Sequence, residues 1–232
     1  MSQRPLRRSQ VLQVARRAIR VLESQGYECC LFGSTACALY GMQNRTPKDV
    51  DLIVMNPDQY FGTNTEYLKD ILVENDSNFY LVNSRNPSAT YRVLWYRLPR
   101  QSEQRCKVDI LVPGLLSIPH LNQEELGAPE PETDLPVLPL LTLLLLKLRG
   151  WTDHREDERY WVQEKVPEDE DDIEEMLDLA MSKYSAYVED EVGLWSRSFQ
   201  EESSERISEY IQEWPGTMDS WDALGLRDLR YY

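Results

Sequence analysis

Apolar residues recur every three or four positions near the start of the chain. This spacing predicts a helix over residues 10–24, with Ser9 as its N-terminal cap and Gly26 following its end. The apolar stripe of the helix consists of Val11, Val14, Ala15, Ala18, Ile19 and Leu22. Arginines occupy much of the remaining surface, so we expect the helix to bury one face and to expose the other.

Shorter apolar runs, several of them alternating with polar residues, predict β-strands over the next hundred positions. We expect strands near residues 28–32, 50–54, 78–83, 90–98 and 106–112, and helices near residues 35–40 and 64–74. The last two strands are joined by the polar residues 99–105 and are expected to form a hairpin. The alternation of strands and helices indicates a mixed sheet and an α/β (α+β) fold class.

The second half of the chain is expected to be helical. We predict helices near residues 140–149, 173–180 and 196–214. The first of them is almost wholly apolar and is expected to end at Gly150. Residues 113–136 are rich in Pro, Glu and Gly, which is typical of a connection over the surface. The predicted domains are a core over residues 1–115, a connecting segment over 116–136 and a helical domain over 137–232.

Two features of the helical half have simple structural interpretations. The acidic residues 168–172 precede a predicted helix, and negative charge near a helix N-terminus is favourable. The aromatic and apolar residues near the C-terminus are expected to cover part of the core: Trp221, Leu224, Leu226, Tyr231 and Tyr232.

Lys147 stands out in the otherwise apolar helix over residues 140–149. Its ammonium group can extend along the helix to reach water, as long cationic side chains commonly do. Alternatively, it can lie at the edge of a cleft and neutralise the charge of a triphosphate. The sequence leaves both interpretations open.

Composition and charge narrow the classes of protein that fit. The chain has 232 residues, of which 41% are hydrophobic, so it can bury a substantial core. Its formal net charge of −15 argues against nonspecific binding of long nucleic acids, because phosphate binding depends on Lys and Arg. A local basic groove stays open, since arginines concentrate at the N-terminus: Arg4, Arg7, Arg8, Arg16, Arg17 and Arg20.

The cellular location is expected to be cytoplasmic. The four cysteines lack the spacing of a zinc site and are interpreted as reduced thiols. The start of the chain is amphipathic without a continuous apolar core, so we expect no signal peptide; a transit peptide is the competing interpretation of its arginines. The longest apolar run, residues 135–146, is broken by prolines and too short to cross a bilayer, so no membrane association is expected.

The candidate chemistry begins where an apolar run ends in Gly33 and Ser34. A strand that turns sharply into a helix there leaves backbone N–H groups free to receive a phosphate. A later strand carries Asp49 and Asp51, which share one face because successive strand residues alternate. Asp109 joins them if its strand is a neighbour; otherwise it is an exposed residue on a half-buried strand. Such carboxylates beside a phosphate-binding turn suit Mg²⁺-dependent phosphoryl or nucleotidyl transfer.

These residues together resemble the nucleotidyltransferase superfamily, the fold shared by DNA polymerase beta, aminoglycoside nucleotidyltransferases and AbiEii-type toxins. The motif of that superfamily is an apolar residue followed by Gly-Gly or Gly-Ser, a spacer, and Asp-x-Asp or Asp-x-Glu between apolar neighbours, with a third carboxylate on a later strand. Here the motif is Phe32-Gly33-Ser34, a slightly long spacer, and Asp49-Val50-Asp51. The helical half is similar only in outline, with Lys147 followed by a basic segment and by Asp172.

The resemblance implies a mixed-sheet nucleotidyltransferase core with a helical C-terminal part. It also implies roles for individual residues. Gly33 and Ser34 would hold the nucleotide phosphates, and Asp49, Asp51 and Asp109 would bind Mg²⁺ or Mn²⁺. Asp109 would in addition help to activate the acceptor hydroxyl. The cations expected to approach phosphate or acceptor are Arg45, Lys48 and Lys147.

The implied activity is transfer of a nucleoside monophosphate group from a nucleoside triphosphate to a hydroxyl acceptor. The acceptor can be a small molecule, a protein or an RNA, with long nucleic acids disfavoured by charge. The alternative is a catalytically silent protein of the same fold that binds or scaffolds, and an interaction protein built on the acidic helix and aromatic tail ranks behind it. Hydrolysis by a nucleophilic side chain has little support, because His120 and His154 lack a recognisable Ser or Cys partner.

Overall fold

The computed structural model describes residues 5–57, 64–84, 90–98, 104–129, 131 and 133–232. Arg4 and most of the predicted hairpin connection, residues 99–103, fall outside these ranges. The strands are β1 (Cys29–Phe32), β2 (Asp49–Val54), β3 (Phe79–Asn83), β4 (Arg92–Arg97) and β5 (Arg105–Leu111). Each lies where an alternating or continuous apolar run predicts a strand, to within a few residues at its ends.

The described strands form one mixed sheet in the order β1-β2-β5-β4-β3. The β2 and β5 strands run parallel, whereas β1 pairs with β2, β4 with β5, and β3 with β4 in antiparallel fashion. The predicted hairpin of β4 and β5 and the predicted α/β class are therefore confirmed. Along β5 the alternation is regular: Cys106, Val108 and Ile110 are buried, and the residues between them are half-buried.

The helices are α1 (Arg8–Ser24), α2 (Gly33–Tyr40), α3 (Thr65–Asn75), α4 (Leu140–Glu156), α5 (Tyr160–Gln163), α6 (Val166–Ser182), α7 (Arg197–Glu213) and α8 (Met218–Ala223). The prediction that Ser9 caps the first helix is wrong, because α1 begins at Arg8 and Ser9 lies inside it. The backbone N–H of Arg7 instead donates to Oε1 of Gln10 at 2.8 Å. The side chain of Gln10 thus accepts a hydrogen bond from the backbone at the start of the helix.

The prediction that Gly150 ends the apolar helix is also wrong. The α4 helix continues through Gly150 to Glu156. The reason is packing: Trp151 is completely buried, with its ring 5.0 Å from that of Tyr210 in α7. Burial of a tryptophan outweighs the roughly 1 kcal/mol by which glycine is less favourable than alanine inside a helix.

The first turn of α4 is fixed by a carboxylate from a distant segment. Glu191 accepts hydrogen bonds from the backbone N–H groups of Leu141 and Thr142 at 2.8 and 2.7 Å. The hydroxyl of Thr142 donates to the same carboxylate at 2.8 Å and accepts from Nε1 of Trp195 at 2.8 Å. A buried anion therefore satisfies the otherwise unpaired donors of this helix end.

Helices cover the sheet and extend the core beyond it. The α1 helix packs on β1 and β2, α3 packs on β3 and β5, and α2 lies between the sheet and α4. The α4 helix packs in turn against α6 and α7. As predicted, Trp221, Leu224 and Leu226 of the C-terminal region are buried. The prediction is wrong for Tyr232, which is 51% exposed, and the side chain of Tyr231 lies outside the described part of the structure. Among the described helices, none combines the length and apolar character needed to span a lipid bilayer.

The segment over residues 116–136 is less superficial than predicted. Ile118, Leu121 and Leu135 are buried in the same hydrophobic cluster as the strands and the helices. At its end the chain lies along β1, where Leu31 donates its N–H to the carbonyl of Pro136 at 2.8 Å. The division into domains over residues 1–115 and 137–232 stays a prediction.

Candidate active site

Three aspartates come together on the half-buried face of the sheet. The parallel register of β2 and β5 places Asp51 beside Asp109 and Asp49 beside Lys107. Asp49 and Asp51 project on one side because they are two residues apart on a strand. One carboxylate oxygen from each aspartate lies within 4.8 Å of the other two. The structure therefore supplies the neighbouring strands on which the sequence-based interpretation of Asp109 depends.

The start of α2 meets this cluster at Gly33. Gly33 has a φ of +62°, in the left-handed region that favours glycine. A Cβ atom added here would clash with Oδ2 of Asp51, so glycine is what allows the backbone to approach that carboxylate. The hydroxyl of Thr35 donates to the backbone carbonyl of Asp49 at 2.7 Å and fastens α2 to β2. The turn at Gly33 and Ser34 thus lies directly against the carboxylates.

Burial and mutual repulsion raise the pKa of two of the three carboxyl groups. The pKa of Asp51 rises to about 8, first because the group is desolvated and then because Asp49 and Asp109 are close. Desolvation, followed by the charge of Asp109, also raises the pKa of Asp49. Desolvation is the larger cause of both shifts, and the neighbouring carboxylates add to it.

Lys107 supplies part of the missing positive charge. Its Nζ lies 2.5 Å from Oδ2 of Asp109. Burial alone would lower the pKa of Lys107, but the charge of Asp109 and the hydrogen bond to it outweigh burial and raise that pKa. One ammonium group for three carboxylates leaves the cluster short of cations.

This donor set fits a divalent cation. Carboxylate oxygens are the ligands that Mg²⁺ and Mn²⁺ prefer, and a cation among them would relieve the repulsion that raises the pKa values of Asp49 and Asp51. In the part of the chain that the structure describes, no second cluster of three such ligands is found.

Arg45 and Lys147 meet at a different carboxylate, Asp172 of α6. Nη2 of Arg45 and Nζ of Lys147 lie 2.6 and 2.5 Å from the same Oδ2 atom. The side chain of Asp172 is fully buried. Burial alone would raise the pKa of Asp172, but hydrogen bonds from Arg45 and the charge of Lys147 outweigh it, and the pKa falls. Lys147 therefore pairs inside the protein rather than extending to water.

The two cations lie near enough to the aspartate cluster to act on it. The charges of Arg45 and Lys147 both oppose the rise in the pKa of Asp49. Lys48, by contrast, is 72% exposed, and its Nζ lies 3.0 Å from Oε2 of Glu168. Of the predicted site residues, the structure thus gathers Gly33, Ser34 and the three aspartates directly, with Arg45 and Lys147 behind them and Lys48 at the surface.

Sequence reasoning missed Lys107 as a member of the cluster. A signal was present, because Lys107 and Asp109 are two residues apart on a predicted strand and must share a face. Within the acidic run over residues 168–172, which local reasoning attributes to the helix N-terminus, only the outline resemblance to the superfamily singles out Asp172. Its pairing with Arg45 and Lys147 depends on how α6 packs on α4.

Comparison with known proteins agrees with this geometry. Residues 19–163 match the model of the family described as nucleotidyl transferase AbiEii toxin, type IV TA system. No curated protein matches the chain significantly in sequence. Among solved structures, an antigenic nucleotidyltransferase-like protein from Paracoccidioides brasiliensis has a TM-score of 0.67 at 17% identity, covering 95% of each chain. At this identity the similarity shows a shared fold.

Two further solved structures align more loosely. A putative nucleotidyltransferase from H. pylori has a TM-score of 0.46 and 13% identity, covering 95% of this chain and 91% of that one. The structure of ANT(2″)-Ia in complex with adenylyl-2″-tobramycin has a TM-score of 0.42 and 13% identity, covering 87% and 99%. With its family model matched over more than half its length and its fold shared, the chain belongs to the AbiEii nucleotidyltransferase family.

Proposed function

We propose that the protein is a divalent-metal-dependent nucleotidyltransferase, which moves a nucleoside monophosphate group from a nucleoside triphosphate to a hydroxyl acceptor. The observation that carries this proposal is the convergence of Asp49, Asp51 and Asp109 within 4.8 Å, against the backbone turn at Gly33. The cluster has too little positive charge of its own, and bound divalent metal ions would supply it.

The three aspartates would hold Mg²⁺ or Mn²⁺. When bound, the metal supplies Lewis acidity: it neutralises phosphate charge and lowers the pKa of an acceptor hydroxyl. The backbone N–H groups of Gly33 and Ser34, at the positive end of α2, donate to phosphate oxygens.

Asp109 is proposed to receive the proton of the acceptor hydroxyl. Lys107 binds its Oδ2 at 2.5 Å and thereby fixes the carboxylate, which leaves the other oxygen available. Lys48 is the exposed cation that can reach a phosphate without disturbing the buried pairs of Asp172. Arg45 and Lys147 contribute positive potential from behind the site.

The acceptor is proposed to be a hydroxylated molecule rather than a long nucleic acid, because the net charge of −15 repels polyanions. The reaction is placed in the cytoplasm, where nucleoside triphosphates are available. The four cysteines are free thiols, in keeping with a reducing compartment.

Transfer from α-³²P-labelled nucleoside triphosphates to a panel of hydroxylated acceptors tests the proposal, with pyrophosphate release as a second readout. We expect transfer with Mg²⁺ or Mn²⁺ and none with EDTA. Asp51→Asn should abolish transfer. The matched control is Asp222→Asn, which alters a surface carboxylate paired with Arg227 and should leave transfer unchanged.

Thermal unfolding with each nucleotide separates an enzyme from a silent scaffold. Metal-dependent stabilisation by a nucleoside triphosphate shows binding, since a ligand of the native state raises its melting temperature. Binding without transfer or pyrophosphate release would contradict the enzymatic proposal and favour the silent alternative. Stabilisation that persists in Asp51→Asn without any metal would contradict the metal site.

A further inference from the structure

A cavity of about 190 Å³ adjoins the phosphate-binding turn and is not used by the proposed chemistry. Its walls come from Phe32 at the end of β1, from Ile118 in the loop after β5, and from Leu143 and Leu146 of α4. Gly33 also lines it, so one end of the cavity touches the turn that lies against Asp51. A cavity of roughly 150 Å³ with apolar walls holds a benzene ring, so this one has room for a planar heterocycle.

Gly150 explains why the space is open. It lies in the interior of α4, where alanine would be more favourable, and it lines the cavity. A Cβ atom added to Gly150 would have no neighbouring atom within 4 Å, so steric crowding does not require glycine here. Steric packing therefore does not explain the missing side chain, which leaves this part of the cavity free for a ligand.

A histidine one turn further along α4 gives the cavity a polar end. Nδ1 of His154 lies 2.6 Å from Oδ2 of the buried Asp169, and both residues line the cavity. In the neutral form of the ring, a carboxylate at Nδ1 favours the tautomer that carries its proton there and whose Nε2 accepts hydrogen bonds. Among the described residues, no partner of Nε2 is recorded. His154 is thus prepared to accept a hydrogen bond from an N–H group.

We propose that this cavity, kept open by Gly150, receives the base of the nucleotide, and that His154 held by Asp169 is a specificity-determining residue for it. A nucleobase has flat apolar faces for the leucine and phenylalanine walls. Its edge carries N–H donors for Nε2 of His154. The inference rests on the proposed function, since it places the triphosphate at Gly33 and Ser34.

Isothermal titration calorimetry in the presence of Mg²⁺ tests the inference. The ligands are non-hydrolysable analogues of ATP, CTP, GTP and UTP, together with inorganic tripolyphosphate, which has no base. The wild-type protein should bind at least one nucleotide more tightly than tripolyphosphate. Gly150→Leu, which fills the cavity, and His154→Ala should each weaken that nucleotide about tenfold or more. Neither should change the affinity for tripolyphosphate.

Two variants serve as controls. His120→Ala alters the other histidine of the chain, which is exposed, and should bind nucleotides like the wild type. Gly150→Ala should raise the melting temperature by about 2–4 °C, because alanine is the better helix former, while lowering nucleotide affinity. A purely structural role for Gly150 would not give these opposite changes.

The outcomes separate this inference from the function on which it rests. Nucleotide affinities unchanged by both Gly150→Leu and His154→Ala would overturn the inference while the wild-type binding still supported the function. If Gly150→Leu does not fold, unchanged affinity in Gly150→Ala together with His154→Ala overturns it equally. If the wild-type protein binds no nucleotide with Mg²⁺ or Mn²⁺, the proposed function fails and the base site with it.

Discussion

The two buried carboxylate sites of this molecule are built on opposite principles. On the sheet, Asp49, Asp51 and Asp109 face one another with one lysine nearby, and burial raises the pKa values of the first two. In α6, Asp172 lies between Arg45 and Lys147, and its pKa is lowered. The carboxylate of the second site is balanced by two cations of the protein itself. The carboxylates of the first site have only one lysine beside them, which suits a site that binds a metal cation.

The largest effect is expected from Asp51→Asn. The substitution removes a metal ligand and should reduce transfer by about 10³-fold or more, as loss of several kcal/mol of transition-state stabilisation implies. It should at the same time stabilise the metal-free protein by about 1 kcal/mol at neutral pH, because asparagine, unlike Asp51, does not have to take up a proton to become neutral in this desolvated cluster. Transfer rates and urea unfolding measure the two effects. A lower free energy of unfolding for Asp51→Asn than for the wild type would contradict the claim that the aspartate cluster has too little positive charge.

Asp172→Asn should act in the opposite direction on stability. It leaves Arg45 and Lys147 without their buried counter-ion, and breaking a buried pair from one side costs about 3–5 kcal/mol. Urea unfolding at neutral pH measures the loss, with Asp134→Asn, which alters an exposed pair with Arg16, as the matched control. Equal effects of the two substitutions would show that the buried cluster contributes no more than a surface pair.

The two sites should also respond oppositely to pH. The pKa of Asp172 lies below its ordinary value, so its contribution is present above the unfolded pKa of about 4 and is lost as pH falls through the folded pKa. The pKa of Asp51 is raised to about 8, so without metal its ionisation costs stability as pH rises from about 4 to 8. Stability-pH curves in EDTA measure both. Asp172→Asn should reduce the loss of unfolding free energy at acidic pH. Asp51→Asn should reduce the loss of unfolding free energy between pH 4 and 8.

The smallest effect is expected from Lys107→Met. Loss of the ammonium group beside Asp109 makes the cluster more negative, so the metal-free protein should lose about 1 kcal/mol. Stabilisation by Mg²⁺ or Mn²⁺ should increase, since the cation then relieves more repulsion. Melting temperatures with and without metal test this, and Lys165→Met, which alters another exposed lysine, is the surface control. A smaller metal response than in the wild type would mean that Lys107 positions Asp109 rather than compensating its charge.

Local patterns located the strands, most of the helices and part of the candidate site. They did not predict α5 or α8, and the acidic residues 168–172 lie inside α6, which begins at Val166, rather than before the helix as predicted. The two-residue spacing of Asp49 and Asp51 fixes their common face whatever the sheet order, and an apolar run ending in Gly33-Ser34 marks the strand-to-helix turn. The same kind of reasoning failed at Ser9 and Gly150. At the start of α1, Gln10 rather than Ser9 accepts the backbone N–H of Arg7. In α4, the burial of Trp151 keeps the chain helical beyond Gly150.

The sequence by itself determined which residues alternate on each strand and which helix stripes are buried, because these depend on periodicities of a few residues. The tertiary structure alone decided that β2 and β5 are parallel neighbours with Asp51 beside Asp109. It also decided that Asp172 pairs with two cations while the sheet aspartates stay short of them. Desolvation and charge pairing arise between segments far apart in the chain, so no local pattern records them.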